Sequence, residues 1–314
     1  MTTPTVLIAT WGDGLFILAG NTIRHEFPGR TVCGLTGDGR GGALAILDRH
    51  SVGRLTAAGD WRTVADADTS LACCLELDGV IYAGTEDARV LRIDARGQCV
   101  VLDGFNAVPG REKWYAGAAV IDGKLIGPPL GIRSMTATCD GAALLVNVHV
   151  GGIPRSLDGG RTWQPTLDID LDVHEVSAHP SRPGLVAAAA AAGVCFSRDA
   201  GATWALELEG LHASYCSAVA FAGDELLVAA SAGHFAAEGA IYHRPIEGSG
   251  PLRPLEGGFP ERIAGICDAD CIDVAGSRIA LADRAGNLYC SENLGRSWAC
   301  HSTGARSPSA VALI

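Results

Sequence analysis

One eight-residue pattern recurs along this chain and constrains its fold more than any other feature. It reads Ser156-Leu-Asp-Gly-Gly-Arg-Thr-Trp163, Ser197-Arg-Asp-Ala-Gly-Ala-Thr-Trp204 and Ser291-Glu-Asn-Leu-Gly-Arg-Ser-Trp298, or S-x-[DN]-x-G-x-[ST]-W. The first two copies begin 41 residues apart. The second and third begin 94 apart, room for two units of 47. Dividing 314 residues by a unit of about 45 gives seven units, and that period is the one expected of a four-stranded propeller blade.

The pattern has a physical reading. An Asp or Asn side chain accepts backbone N–H bonds in a tight turn, and Gly supplies the positive φ the turn needs. The Trp opens the next strand and buries a large ring against a neighbour. The motif is therefore a hairpin turn with a packing anchor. It resembles the Asp-box, or BNR repeat, of the sialidase-like β-propeller superfamily. That resemblance implies that Asp158, Asp199 and Asn293 are structural, on the turn between the third and fourth strands and away from the functional face.

The predicted fold is all-β: a seven-bladed propeller of four-stranded antiparallel blades, one domain over residues 1–314. Blades two to seven are predicted over 31–65, 70–105, 132–167, 173–208, 212–255 and 267–301. The N-terminal 5–27 supplies only the later strands of blade one. Ser309 to Ile314 supplies its missing first strand, so the two termini close the ring and remove an open edge. Ala187 to Ala192 is six alanines, which propensity alone reads as helix. The equivalent Leu144–Val150 and Ile279–Ala285 read as strands, and the repeat overrides propensity. An insertion at about 108–131, with Arg111 to Tyr115 and the turn Gly127-Pro-Pro-Leu130, is expected to be a long connection, an extra hairpin or a lid.

Composition excludes several function classes. A formal charge of −11 argues against nucleic-acid binding, and 48% hydrophobic residues argue against disorder. Met1 to Gly14 has no Lys or Arg and does not read as a secretory signal; no apolar run is long enough to span a membrane. A cytoplasmic location is the expectation. The 11 cysteines form no regular framework and are expected to be free thiols, and Cys267-x3-Cys271 has no second pair with which to build a zinc site.

Blades four, five and seven align without gaps as Arg133–Trp163, His174–Trp204 and Asp268–Trp298, each 31 residues long. Position one of this register (Arg133, His174, Asp268) begins the innermost strand. Position seventeen (His149, Ala190, Arg284) ends the antiparallel second strand. The two positions should therefore ring one mouth of the central channel. Trp11 and Glu86 take position seventeen in blades one and three, and His50 falls near it in blade two. His212, Tyr215 and His234 belong to the same face of blade six, and Asp270 follows Asp268 in blade seven. Asn147, two residues before His149, joins the substrate-binding candidates.

From this ring we expect a pocket for a small polar molecule. His174, His212, Asp268 and Tyr215 are the catalytic candidates. Arg133, Arg284, Trp11, Glu86 and Asn147 are the substrate-binding ones. His149, His174, His212 and Asp270 are the set for one divalent metal ion, zinc or another transition metal. Two functional readings stay open: a hydrolase or lyase, and a non-catalytic propeller that binds a protein partner, which the chain's likeness to photosystem assembly-factor propellers implies. Sialidase activity is disfavoured, because the resemblance requires an N-terminal Phe/Tyr-Arg-Ile-Pro motif and three arginines. The nearest string is Ile153-Pro154-Arg155, and only Arg133 and Arg284 are evident as face arginines.

Overall fold

Alternating apolar residues fold each unit into an antiparallel meander whose two faces are both buried against neighbouring blades. The computed structural model describes residues 5–20, 22–38, 40–116, 119–121, 124–126, 130–248 and 250–314. Seven such sheets form a seven-bladed β-propeller. Blade one runs outward from Pro308–Leu313 through Thr5–Thr10 and Leu15–Ala19 to Thr22–Glu26, so the C-terminal strand is innermost. Val6 pairs with Leu313 and Ala9 with Ala310, which closes the ring. Blade six carries an added short strand, Ile263–Ala264, on its third strand. Helix is confined to Asp103–Asn106 and two 3-10 turns among the described residues. None is long and apolar enough to cross a membrane.

Four of the six alanines lie in a strand, Val186–Ala190, whose residues are all fully buried, and Ala191 and Ala192 form the turn after it. Ala187 and Ala189 face blade six, where Val219 and Phe221 pack; Ala188 and Ala190 face Leu145 and Ile153 of blade four. Burial on both sides outweighs helix propensity here, and methyl-sized side chains let the blades approach closely.

The three motif copies share one turn geometry. In the first, Asp158 accepts from the Thr162 N–H (2.9 Å) and hydroxyl (2.7 Å), and Ser156 Oγ accepts from the Gly160 N–H (2.9 Å). Asp199 repeats all three bonds, and Asn293 repeats the two backbone ones while its Nδ2 donates to the Ser297 hydroxyl (2.9 Å). Trp163 is 3% exposed and meets Phe105 edge-on at 5.1 Å. Phe105 comes from the short helix that opens the segment before blade four. Within that insertion, Ala119–Ile121 and Lys124–Ile126 pair as two antiparallel strands. Gly127, Pro128 and Pro129 of the turn expected there lie outside the described residues.

A feature the repeat did not foretell positions the site. Near the start of the innermost strand the register slips in six blades, at Ser309, Gly34–Leu35, Ala72, Arg133, His174 and Ser217. Each slip is a β-bulge, which re-aims a side chain and leaves the extra residue out of the ladder. Three bulged side chains bond the next blade's carbonyls: Ser309 Oγ to Val32 (2.5 Å), His174 Nδ1 to Cys216 (2.6 Å) and Ser217 Oγ to Cys267 (2.5 Å). The bulges thus stitch neighbouring blades together at the mouth.

Candidate functional site at one mouth of the channel

All seven blades contribute to a cavity of about 790 Å³ at this mouth. Trp11, Glu86, Arg133, His149, His174, Tyr215, His234, Asp268, Asp270 and Arg284 all line it. Gly34 and Asp270 also line a second space of about 240 Å³ that continues down the channel past Glu175. Two of the expected candidates lie elsewhere. His212 is turned away: its Nδ1 lies 2.7 Å from the Tyr242 hydroxyl, and the two rings stack. Tyr242 belongs to the third strand of blade six, so His212 is drawn outward and does not meet His149 and His174. Asn147 is fully buried behind the wall rather than on it. His50 is exposed and approaches the Ala67 carbonyl. Among the described residues, no three His, Cys, Asp or Glu side chains are grouped so as to hold a metal ion. The set His149, His174, His212 and Asp270 is therefore not assembled, because His212 points outward. All eleven cysteines are free.

Arg49, Asp172 and Phe235 are among the lining residues that escaped the sequence reading. Arg49 replaces His50 because the tight turn between the second and third strands of blade two takes two left-handed residues, Asp48 (φ 48°) and Arg49 (φ 63°). It is a third arginine at this mouth. It ion-pairs with Glu86 and lies 5.1 Å over the Trp11 ring. Arg133 approaches the same carboxylate at 3.9 Å. Asp172, two residues before the register begins, is left-handed (φ 49°) and closes the 3-10 turn Ile169–Leu171. Phe235, 65% exposed, stands beside His234 on the rim.

The polar groups fall into linked sets. Asp172 faces two imidazoles, with His149 Nε2 3.3 Å from Oδ1 and His174 Nε2 3.8 Å from Oδ2. Tyr215 stacks obliquely on His174 at 4.4 Å. Arg284 donates to Asp268 (3.1 Å) and to the His234 carbonyl (2.5 Å). A carbonyl only accepts, so His174 carries a proton on Nδ1 and exchanges protons through Nε2.

Burial shapes the protonation of these groups. It pushes His149 down to about 4, against the pull of Asp172, so the ring is neutral near pH 7. It lowers His234 as well, with Arg284 adding to the effect. For Asp172, burial works upward but the two neighbouring imidazoles, His174 and His149, prevail, and the carboxyl is lowered. Burial, joined by the charge of Asp268, lifts Asp270 to about 7 and raises Tyr215. Glu175, 6% exposed below the mouth, is raised by burial and by Asp270 while accepting from the Val219 N–H at 3.0 Å.

No protein-family model and no curated protein sequence matches this chain. Solved structures do. A 6-phosphogluconolactonase-like protein from Bacteroides uniformis ATCC 8492 superposes with a TM-score of 0.65 at 12% identity, over 100% of both chains. An ancestral GH74 enzyme superposes with a TM-score of 0.60 at 14% identity, over 85% of this chain, which spans 38% of that one. The YCF48 protein bound to a D1 peptide gives 0.57 at 14% identity, over 96% of this chain and 84% of that one. At these identities the likeness establishes the shared architecture, a β-propeller.

Proposed function

We propose that this chain is a hydrolase of the Asp-box propeller type, acting on a small polar molecule in the mouth cavity. The Asp-box reading draws its support from the backbone N–H bonds that Asp158, Asp199 and Asn293 each accept in the same turn. The hydrolase reading is carried by one observation: an acid and a base line the same cavity. Asp270 keeps its proton up to about pH 7, and His174, fixed by the Cys216 carbonyl, offers Nε2. Solved propellers of similar fold include hydrolytic GH74 enzymes.

In this mechanism His174 Nε2 takes a proton from water as the water oxygen bonds to the electrophilic carbon of the substrate. The bond from that carbon to the leaving oxygen breaks, and Asp270 donates its proton to that oxygen. Return of the His174 proton to Asp270 through solvent restores the site. Arg133 and Arg284 orient an anionic group of the substrate.

The test is turnover of a panel of small lactones and esters, read by proton release, and of small glycosides, read by the reducing sugar or chromogenic alcohol set free. Turnover should be lost in both His174→Ala and Asp270→Asn. Asp270→Asn should melt no lower than the wild-type protein, and His174→Ala should stay folded, losing its bond to the Cys216 carbonyl and its packing on Tyr215. A panel without turnover, or turnover unaffected by both changes, overturns the reading. A second reading, a non-catalytic binding propeller, is favoured by the exposed rim aromatics Phe235 and Trp11 and by the similar fold of the peptide-bound YCF48. Co-purification of a partner with an inactive protein is its signature.

A further inference from the structure

Asn147 is the least explained polar residue of the chain. It sits in the second strand of blade four with no exposed surface. Among the described residues no protein group hydrogen-bonds to either end of its amide. Buried amides are almost always bonded, and the exceptions mark ordered water or a ligand. Its place in the strand shows where the amide points. Asn147 pairs across the sheet with Ser134, whose hydroxyl accepts the Val176 N–H of blade five at 2.9 Å. Its strand neighbour on the same face, Leu145, packs against Val173 and Val176. Asn147 therefore faces the start of blade five, where the His174 bulge opens the ladder.

Two more orphaned atoms belong to this corner. His149, in the turn just past this strand and turned toward Asp172 of blade five, has a buried Nδ1 with no protein partner among the described residues. Asp172 Oδ1 is also without a hydrogen-bonding donor, since the nearby His149 Nε2 at 3.3 Å is not aligned for one. A neutral imidazole carries one proton and one lone pair. With Nε2 toward a carboxylate, the proton belongs on Nε2, and Nδ1 needs a donor.

We infer that a buried water site lies between blades four and five, in which water held by the Asn147 amide donates to His149 Nδ1. Asn147 is thus a positioning residue. Through water it fixes the Nε2–H tautomer of His149, which turns a proton rather than a lone pair toward Asp172. The imidazole is neutral at pH 7 because burial lowers its basicity. The inference rests on the resting protein and not on the proposed hydrolysis, so the two fail separately.

Long-range proton–nitrogen NMR of the full chain at pH 7 reads the tautomer directly, with His149 assigned by loss of its signals in His149→Gln. Wild type should show His149 in the Nε2–H form alone. Asn147→Leu should give a mixture or the Nδ1–H form, and Asn147→Thr, which keeps a hydroxyl for the water, should restore Nε2–H. An Nδ1–H form in wild type, or an unchanged Nε2–H form in Asn147→Leu, overturns the inference. Should Asn147→Leu fail to fold, the wild-type tautomer and a high-resolution crystal structure decide. Ordered water within bonding reach of both Asn147 and His149 Nδ1 supports the site, and its absence there overturns it.

Discussion

His174 Nδ1 lies 2.6 Å from the carbonyl oxygen of Cys216, one blade further round the ring. A bulged residue of blade five is thereby tied to the innermost strand of blade six, and the same bond fixes which ring nitrogen can exchange protons. Structure and chemistry meet in one contact. Ser217 repeats it toward Cys267, with no catalytic role assigned, which separates the structural part from the chemical part.

Ser217→Ala should cost about 1–2 kcal/mol, because a buried hydroxyl–carbonyl bond is lost and the Cys267 carbonyl is left unmet. The urea midpoint measures this. An unchanged midpoint would show that the stitches between blades carry no stability.

Trp163→Ala should cost about 3–5 kcal/mol, since a ring 3% exposed leaves a cavity against Phe105. Trp204→Ala should cost less, because Trp204 is only partly buried. Chemical denaturation of the two variants ranks them. Equal losses would mean that the motif's anchor works through its turn and not through burial.

Asp270→Asn should stabilise the protein at pH 8. The folded carboxyl is lifted to about 7 from an ordinary 3.8, so the native state holds a proton that the unfolded chain has already released between those values. The stability linked to that proton is fully present below the unfolded value and is lost as pH rises through 7. Asn carries no such loss. The gap in melting temperature should be widest above pH 7 and close on acidification toward pH 4. A gap independent of pH would place the carboxyl's titration elsewhere.

The blades were legible because a turn motif repeats at fixed spacing, and because local chemistry suffices for a turn: in every copy the Ser hydroxyl and the Asp or Asn side chain accept the same backbone N–H bonds. Register then carried the reading to the mouth, since strand direction alone sets which ends share a face. Arg133, His149, His174, Asp268 and Arg284 meet there for that reason. Counting residues could not show where a side chain turns once it reaches the mouth. His212 leaves because Tyr242, thirty positions later, binds it. Arg49 displaces His50 because two left-handed residues shift the turn by one. Asp172 joins the two imidazoles from just outside the repeat. The sequence by itself determined the blade, its turns and the ring of polar ends. Tertiary structure decided which of those ends converge, because bulges, turn handedness and contacts between blades depend on neighbours brought close only when the ring closes.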